Sequence, residues 1–184
     1  MHEPEMTAYL LKKFAPDTTF LDIGANIGYY TLLAAPIVKS VIAFEPQRRQ
    51  RTFLEQSIEQ AGYTNVTVYD FPLFSREVRG NIDHRQIFRP SSTGELVTRT
   101  LDSLALEPNI IKIDTEGAEL DILMGAEETL LAYKPILGVE VHNRRISKYF
   151  GHKSRQVHRF LEELGYTISL LKADAGLICA EWES

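Results

Sequence analysis

Thr19-Phe20-Leu21-Asp22-Ile23-Gly24-Ala25-Asn26-Ile27-Gly28 decides how this chain is built. Thr19 to Ile23 reads as a buried strand that runs straight into a loop with a glycine at each end. A helix expected from Tyr29 stops before Pro36, whose ring carries no amide proton. Strand, glycine loop and helix form the opening of a parallel crossover unit. Outward from it, Val38 to Phe44 is a second strand and Pro46 stands where a helix start tolerates proline. Phe53, Leu54, Ile58 and Ala61 then keep helical spacing up to a C-cap at Gly62, and Val66 to Tyr69 is a third strand.

Residues 71–100 break this rhythm. Turn signals at Arg79-Gly80-Asn81 and Pro90-Ser91-Ser92-Thr93-Gly94 separate short runs that predict a β-ribbon. The alternation resumes with a strand at Ile110–Ile113 and one helix presenting Ala118, Ile122, Ala126 and Leu130 on a single face. Ile136 to Val141 is another strand, and Ser154 is the expected N-cap of a helix closed by Gly165. Tyr166–Leu171 and Leu177–Trp182, joined by Ala173-Asp174-Ala175-Gly176, predict a terminal antiparallel hairpin. The fold class is α/β, a doubly wound and mostly parallel sheet. At 184 residues the chain is expected to form a single domain, 1–184.

Composition narrows the function classes. A 44% hydrophobic and 24% charged chain is ordinary globular material rather than a disordered one. The net charge of −5 does not favour nucleic acid as a partner. Cys179 is alone, so neither an internal disulfide nor a cysteine zinc site is available, and a reducing, cytoplasmic setting is expected. There is no apolar run of about 18 residues to span a membrane, and Met1 to Met6 lacks the pattern of a signal peptide.

Ligands of open α/β sheets bind beyond the carboxyl ends of the strands, where strand order reverses, and the Gly24–Gly28 loop lies at such an end. Glu45 closes the second strand 21 positions after Gly24, the spacing of a carboxylate that accepts ribose hydroxyls. Asn26 and Tyr29 stand where a dinucleotide loop would carry glycines, so the loop is not built against a pyrophosphate. Asp22 beside it would repel phosphate and attract a sulfonium or ammonium group. Singly, these residues are turn glycines, packing glycines and a helix-start acid. Together they favour an adenosine-type site.

The same residues carry a resemblance. Phe20 to Thr31, Val41-Ile42-Ala43-Phe44-Glu45-Pro46, Thr100 to Leu104 and Ile111-Lys112-Ile113-Asp114-Thr115-Glu116-Gly117-Ala118-Glu119 look like FkbM-type methyltransferases, and the likeness runs through Val139-Glu140-Val141-His142. It implies a Rossmann-like class I methyltransferase sheet with an antiparallel last strand. It also implies S-adenosylmethionine as cofactor, S-adenosylhomocysteine as product and a hydroxyl of a small-molecule or carbohydrate-like acceptor as the site methylated. By that resemblance Asp22, Gly24, Asn26 and Gly28 line the methionine end, Glu45 holds the ribose, and Asp70 and Phe71 lie near the adenine.

A hydroxyl is a poor nucleophile until its proton is removed, so a base is expected at a strand end facing the cofactor. Asp114, Glu116, Glu140 and His142 are the candidates. Strand alternation puts Glu140 and His142 on one side, with Asp114 on the neighbouring strand. Glu119 reads as a first-turn acid serving the helix dipole. A divalent ion on two carboxylates and the histidine is the minority alternative, because nothing in the spacing demands a metal. Lys112 lies inside an apolar strand and needs an acid such as Asp22 or Glu140, while Trp182 reads as core or edge packing. Val141 to Leu161 carries six basic residues and no acid, and Arg144 and Arg145 in it are candidate ligands for an anionic acceptor; a solvated basic helix face is the equal alternative. Two competing functions remain: a nucleoside-binding module without turnover, and an NAD-dependent oxidoreductase, which the missing G-x-G-x-x-G disfavours.

Overall fold

The computed structural model describes residues 3–172 and 176–182. Its first element is α1 (Pro4–Lys13), a helix for which the sequence reading has no counterpart. Then come β1 (Thr19–Ile23), α2 (Tyr29–Ala34), β2 (Ser40–Phe44), α3 (Arg48–Ala61) and β3 (Val66–Tyr69). A small antiparallel sheet follows, from β4 (Arg79–Ile82), β5 (Phe88–Pro90) and β6 (Leu96–Val97). The alternation returns in β7 (Ile110–Ile113), α4 (Glu119–Met124), α5 (Glu127–Tyr133) and β8 (Ile136–Glu140). Two helices, α6 (Asn143–Phe150) and α7 (Ser154–Glu163), lead to β9 (Tyr166–Lys172) and β10 (Leu177–Trp182).

The main sheet has seven strands in the order β3-β2-β1-β7-β8-β10-β9. Its first five are parallel, whereas β10 runs antiparallel to both β8 and β9. This is the doubly wound Rossmann-like sheet expected, terminal hairpin included; the turn residues 173–175 lie outside the described residues. Strand order reverses between β1 and β7. Period-2 alternation divides the core between two faces. Phe20 and Ile110 meet Met6, Leu10 and Tyr30 beneath α1 and α2. Leu21, Ile23, Ile111 and Ile113 meet Leu120, Ile122, Val157 and Leu161 on the other face. At about 1.5–3 kcal/mol per fully buried aliphatic side chain, these two layers hold the sheet together. Among the described residues no helix is long and apolar enough to cross a membrane.

Several boundaries differ from the sequence reading for identifiable reasons. The second strand begins at Ser40, and Val38 is buried in the turn before it. Pro46 precedes α3, whose N-cap is Gln47. Phe53 is 51% exposed, and Leu54 alone of that helix is fully buried. Arg79-Gly80-Asn81 is strand rather than turn. A Cβ on Gly80 would lie 2.4 Å from the Phe88 ring, so that glycine permits close cross-strand packing. The helix expected through Ala118 and Leu130 is two helices broken at Gly125. The Asp102 carboxylate, from a distant turn, caps the second one through Thr129 N at 2.8 Å and Glu128 N at 3.2 Å. Lys153, not Ser154, is the N-cap of α7.

Candidate functional site

The β1 loop and the end of β2 wall one side of a cleft at the carboxyl ends of β1, β2 and β7. Gly24 has φ +83, and a Cβ there would lie 1.9 Å from the Asp114 backbone oxygen, so the loop passes β7 only because this residue is glycine. Asn26 turns with φ +51, and its amide donates to Glu45 Oε2 at 2.9 Å; the Gln47 amide donates to Oε1 at 2.8 Å. Glu45 is thus held at the rim by its own loop. Burial pushes its carboxyl above the usual range, against those two amides.

Gly24, Asn26 and Glu45 line the cleft together with apolar Phe44, Leu73, Ile82 and Phe88. Gly28 does not. A Cβ on it would lie 2.4 Å from Leu54 Cδ1, so it seats α3 against the loop. Asp70 is exposed, and Phe71 packs against Phe44, Tyr69 and the Arg99 guanidinium, outside the lining. Leu73, Ile82 and Phe88, which do line the cleft, come from residues 71–100, the region read as a β-ribbon. Asp22 lies behind the loop, fully buried, accepting from Thr31 Oγ1 at 2.6 Å; its Oδ1 has no hydrogen-bond partner. Burial raises its pKa, while Lys112, its cross-strand neighbour in register, pulls it down.

Asp114 belongs to the cleft and to a second group beside it. On the face beneath α1, one row beyond Lys112, Asp114 and Glu140 reach His142. His142 Nε2 lies 3.7 Å from Asp114 Oδ1, 3.5 Å from Glu140 Oε1 and 3.1 Å from Glu116 Oε2. The four candidates therefore converge. Glu119 departs from its expected role: it is fully buried and holds His142 Nδ1 at 2.9 Å and the Gly117 amide at 2.8 Å. Its position two residues past Gly117 carries no signal of that contact in the sequence. Lys112 pairs with Asp114 Oδ2 at 3.2 Å and stands 4.8 Å from the Tyr30 ring, rather than bonding Asp22 or Glu140.

The electrostatics follow from crowding. Burial alone would lower the His142 pKa, but the Glu119 hydrogen bond and the Asp114 and Glu140 charges outweigh it and hold it at about 9. Burial lifts Glu140 to about 8, helped by Glu3 and Asp114. Lys112 is also raised, its carboxylates overcoming burial. Arg145 pairs with Glu116, whereas Arg144 is exposed. The basic stretch is divided between two helices, and Arg159 on α7 is engaged by Glu163. Tyr149 on α6 receives Arg85 Nη1 at 2.9 Å and the Arg89 guanidinium over its ring at 3.9 Å, joining the ribbon to α6. Trp182 packs edge-on against Tyr166, as expected of a packing residue.

Residues 22–168 match the Methyltransferase FkbM domain. The chain is 25% identical over 151 residues to the hexuronic acid methyltransferase AglP of Haloferax volcanii, an alignment covering 76% of this chain and 62% of that protein. Among solved structures, the FkbM methyltransferase from Methylobacillus flagellatus superposes with a TM-score of 0.72 at 20% identity, over 98% of this chain and 48% of its own. SMU.1697c from Streptococcus mutans, solved in complex with S-adenosylhomocysteine, superposes at 0.60 with 17% identity, over 95% of this chain and 94% of its own. The chain thus spans 62% of the curated relative's length and about half of the FkbM structure's.

Proposed function

The chain belongs to the FkbM methyltransferase family, and from that premise we propose that it transfers a methyl group from S-adenosylmethionine to a hydroxyl of an anionic, carbohydrate-like acceptor. The observation that carries the reading is Asp114. Its backbone oxygen abuts the Gly24 loop of the cleft, while its carboxylate faces His142 and Glu140. Cofactor pocket and acid–base group share one residue.

The cleft fits the cofactor. Glu45, anchored by two amides, retains lone pairs for ribose hydroxyls, since each carboxylate oxygen accepts more than one bond. Leu73, Ile82 and Phe88 offer the apolar walls an adenine ring needs, and the proposal gives them that role in place of Asp70 and Phe71. Gly24 and Asn26 bring the loop backbone to the ligand, and Asp22 behind it supplies negative charge. Bound S-adenosylmethionine supplies an electrophilic methyl group on a sulfonium. Asp114, Glu116 and Glu140 accept a hydrogen bond from the acceptor hydroxyl and orient it; orientation is worth roughly 7–11 kcal/mol. A carboxylate that then takes the hydroxyl proton adds about 10²–10⁴ in rate. His142, fixed by Glu119, moderates the charge of these acids. Arg144, exposed on α6, meets the acceptor's negative charge, with Arg145 beside it held by Glu116; the chemistry is consistent with the uronic acid in the relative's name.

Calorimetric titration tests the cofactor. S-adenosylmethionine and S-adenosylhomocysteine should bind, and Glu45→Ala should weaken both at least tenfold; binding of NAD alone overturns the reading. With uronic-acid-bearing acceptors, Arg144→Glu should raise KM severalfold with kcat little changed. An unchanged KM removes the anionic acceptor from the proposal.

A further inference from the structure

We propose that Asp114, Glu140 and His142 form a binding site for one divalent cation of the Mg²⁺/Mn²⁺ class. One ligand atom from each lies within 4.8 Å of the others. The separations of His142 Nε2 from Asp114 Oδ1, 3.7 Å, and from Glu140 Oε1, 3.5 Å, exceed a hydrogen bond, which ends near ~3.2 Å. An octahedral ion with bonds of about 2.1 Å spaces adjacent ligands about 3 Å apart, so these side chains would draw in by roughly 0.5–0.7 Å to bind one. The three groups stand around a point rather than against one another.

The histidine is prepared for this role from its far side, away from Asp114 and Glu140. Glu119 is fully buried and acts as an acceptor to Nδ1 at 2.9 Å, which places the proton of a neutral imidazole on that nitrogen. Nε2 faces Glu116 Oε2 at 3.1 Å as well as Asp114 and Glu140, so a bound ion would displace the proton on that nitrogen and take its lone pair in place of the Glu116 contact. A buried carboxylate fixing the far nitrogen of a histidine is the usual support of a metal ligand, and its removal weakens affinity about 10–100-fold. Charge points the same way. Four carboxylates face this one imidazole, Lys112 is engaged by Asp114 Oδ2, and Arg145 by Glu116. A mixed set of two oxygens and one nitrogen, without sulfur, suits Mn²⁺ or Mg²⁺ with further positions filled by water or ligand hydroxyls. On the methyl-transfer reading, which this role presupposes, such an ion would hold the acceptor hydroxyl beside the cleft and make it more acidic, with Asp114 and Glu140 as its ligands and Glu116 left to take the proton.

The test is Mn²⁺ binding to the full chain with no cofactor present, followed by the loss of the free-ion electron paramagnetic resonance signal. One saturable ion per chain is expected. Glu140→Gln and His142→Ala should abolish it, and Glu119→Gln should weaken it at least tenfold. Because a variant can fail to fold, the wild type is also titrated under nuclear magnetic resonance. Mn²⁺ should broaden the His142 ring signals well before those of His84, His152 and His158. Absence of saturable binding overturns the site, as does an ion that leaves His142 sharp or persists in the variants. Titration with S-adenosylhomocysteine is run in parallel. Its binding without Mn²⁺ binding removes the ion and leaves the methyl-transfer reading; the converse removes that reading and leaves the ion.

Discussion

Lys112 shows how far a single residue can be read in advance. An ammonium in the middle of Ile-Ile-Lys-Ile must be compensated, because elementary solvation demands it of any fold that buries the strand. The partner was harder to read. Residues two apart on a strand share a face, so Asp114 on the same strand makes the hydrogen bond, while Asp22 acts across the sheet through register. The same limit applies to Glu119, whose spacing gives a helix-start acid and whose contact with His142 arises only once β7 and β8 lie side by side. Lys112 is 2% exposed, so removing it leaves two carboxylates unbalanced at the base of the site. Lys112→Met should destabilise the fold by about 3–5 kcal/mol in denaturant titrations. Adding Asp22→Asn to that variant should recover part of the loss, and a loss under about 1 kcal/mol would mean that the ion pairing is not what stabilises this layer.

Elements were legible where their stabilising contacts are local or where they are buried on both faces. The parallel strands read as apolar runs because helices cover both sides of them. The loop glycines read as an interruption between β1 and α2 because no other residue turns there with so little strain. The ribbon did not read in this way: Gly80 looks like a turn residue and is a packing residue. Nor did the division of α4 from α5, since the cap that restarts the helix comes from Asp102, a remote residue. Helix α1 was missed because its burial depends on a sheet that forms only later in the chain. Its docking has a chemical signature. Lys13 Nζ meets Glu181 Oε2 at 2.7 Å and Tyr9 OH donates to Oε1 at 3.0 Å. The Lys13 bond holds the Glu181 carboxyl below its ordinary value of 4.5. A depressed carboxyl contributes stability that is fully present above 4.5 and is lost as pH falls through the lower, folded value. Amide exchange in α1 should therefore accelerate as pH falls below the ordinary carboxyl value of 4.5 and through the lower, folded one, once intrinsic rates are corrected. Glu181→Gln should flatten that dependence, and an unchanged profile would show that apolar packing alone docks the helix.

Across the whole molecule, the cleft and the His142 group meet where strand order reverses, drawing on residues 22–45 from one half and 114–142 from the other. The two halves are held by the β1–β7 pairing, so a ligand in the cleft contacts both and should report on global stability. At a hundredfold excess over Kd, S-adenosylhomocysteine should stabilise the folded state by about 2.7 kcal/mol. For a chain of this size that is a rise of roughly 5–10 °C in Tm. No rise at saturation would separate the cleft from the fold's cooperative unit. The order β8-β10-β9 also has a consequence for how the protein is made. The strand latest in sequence, β10, is inserted between two strands already synthesised. Until Leu177–Trp182 has emerged, β8 presents an unpaired and strongly apolar edge, Leu137 to Val139, next to the residues that form the His142 group. A nascent or prematurely terminated chain therefore carries an open template for strand addition by other copies. For biosynthesis, the hazardous interval is the one just before the final strand, when most of the sheet exists and its last gap is still open.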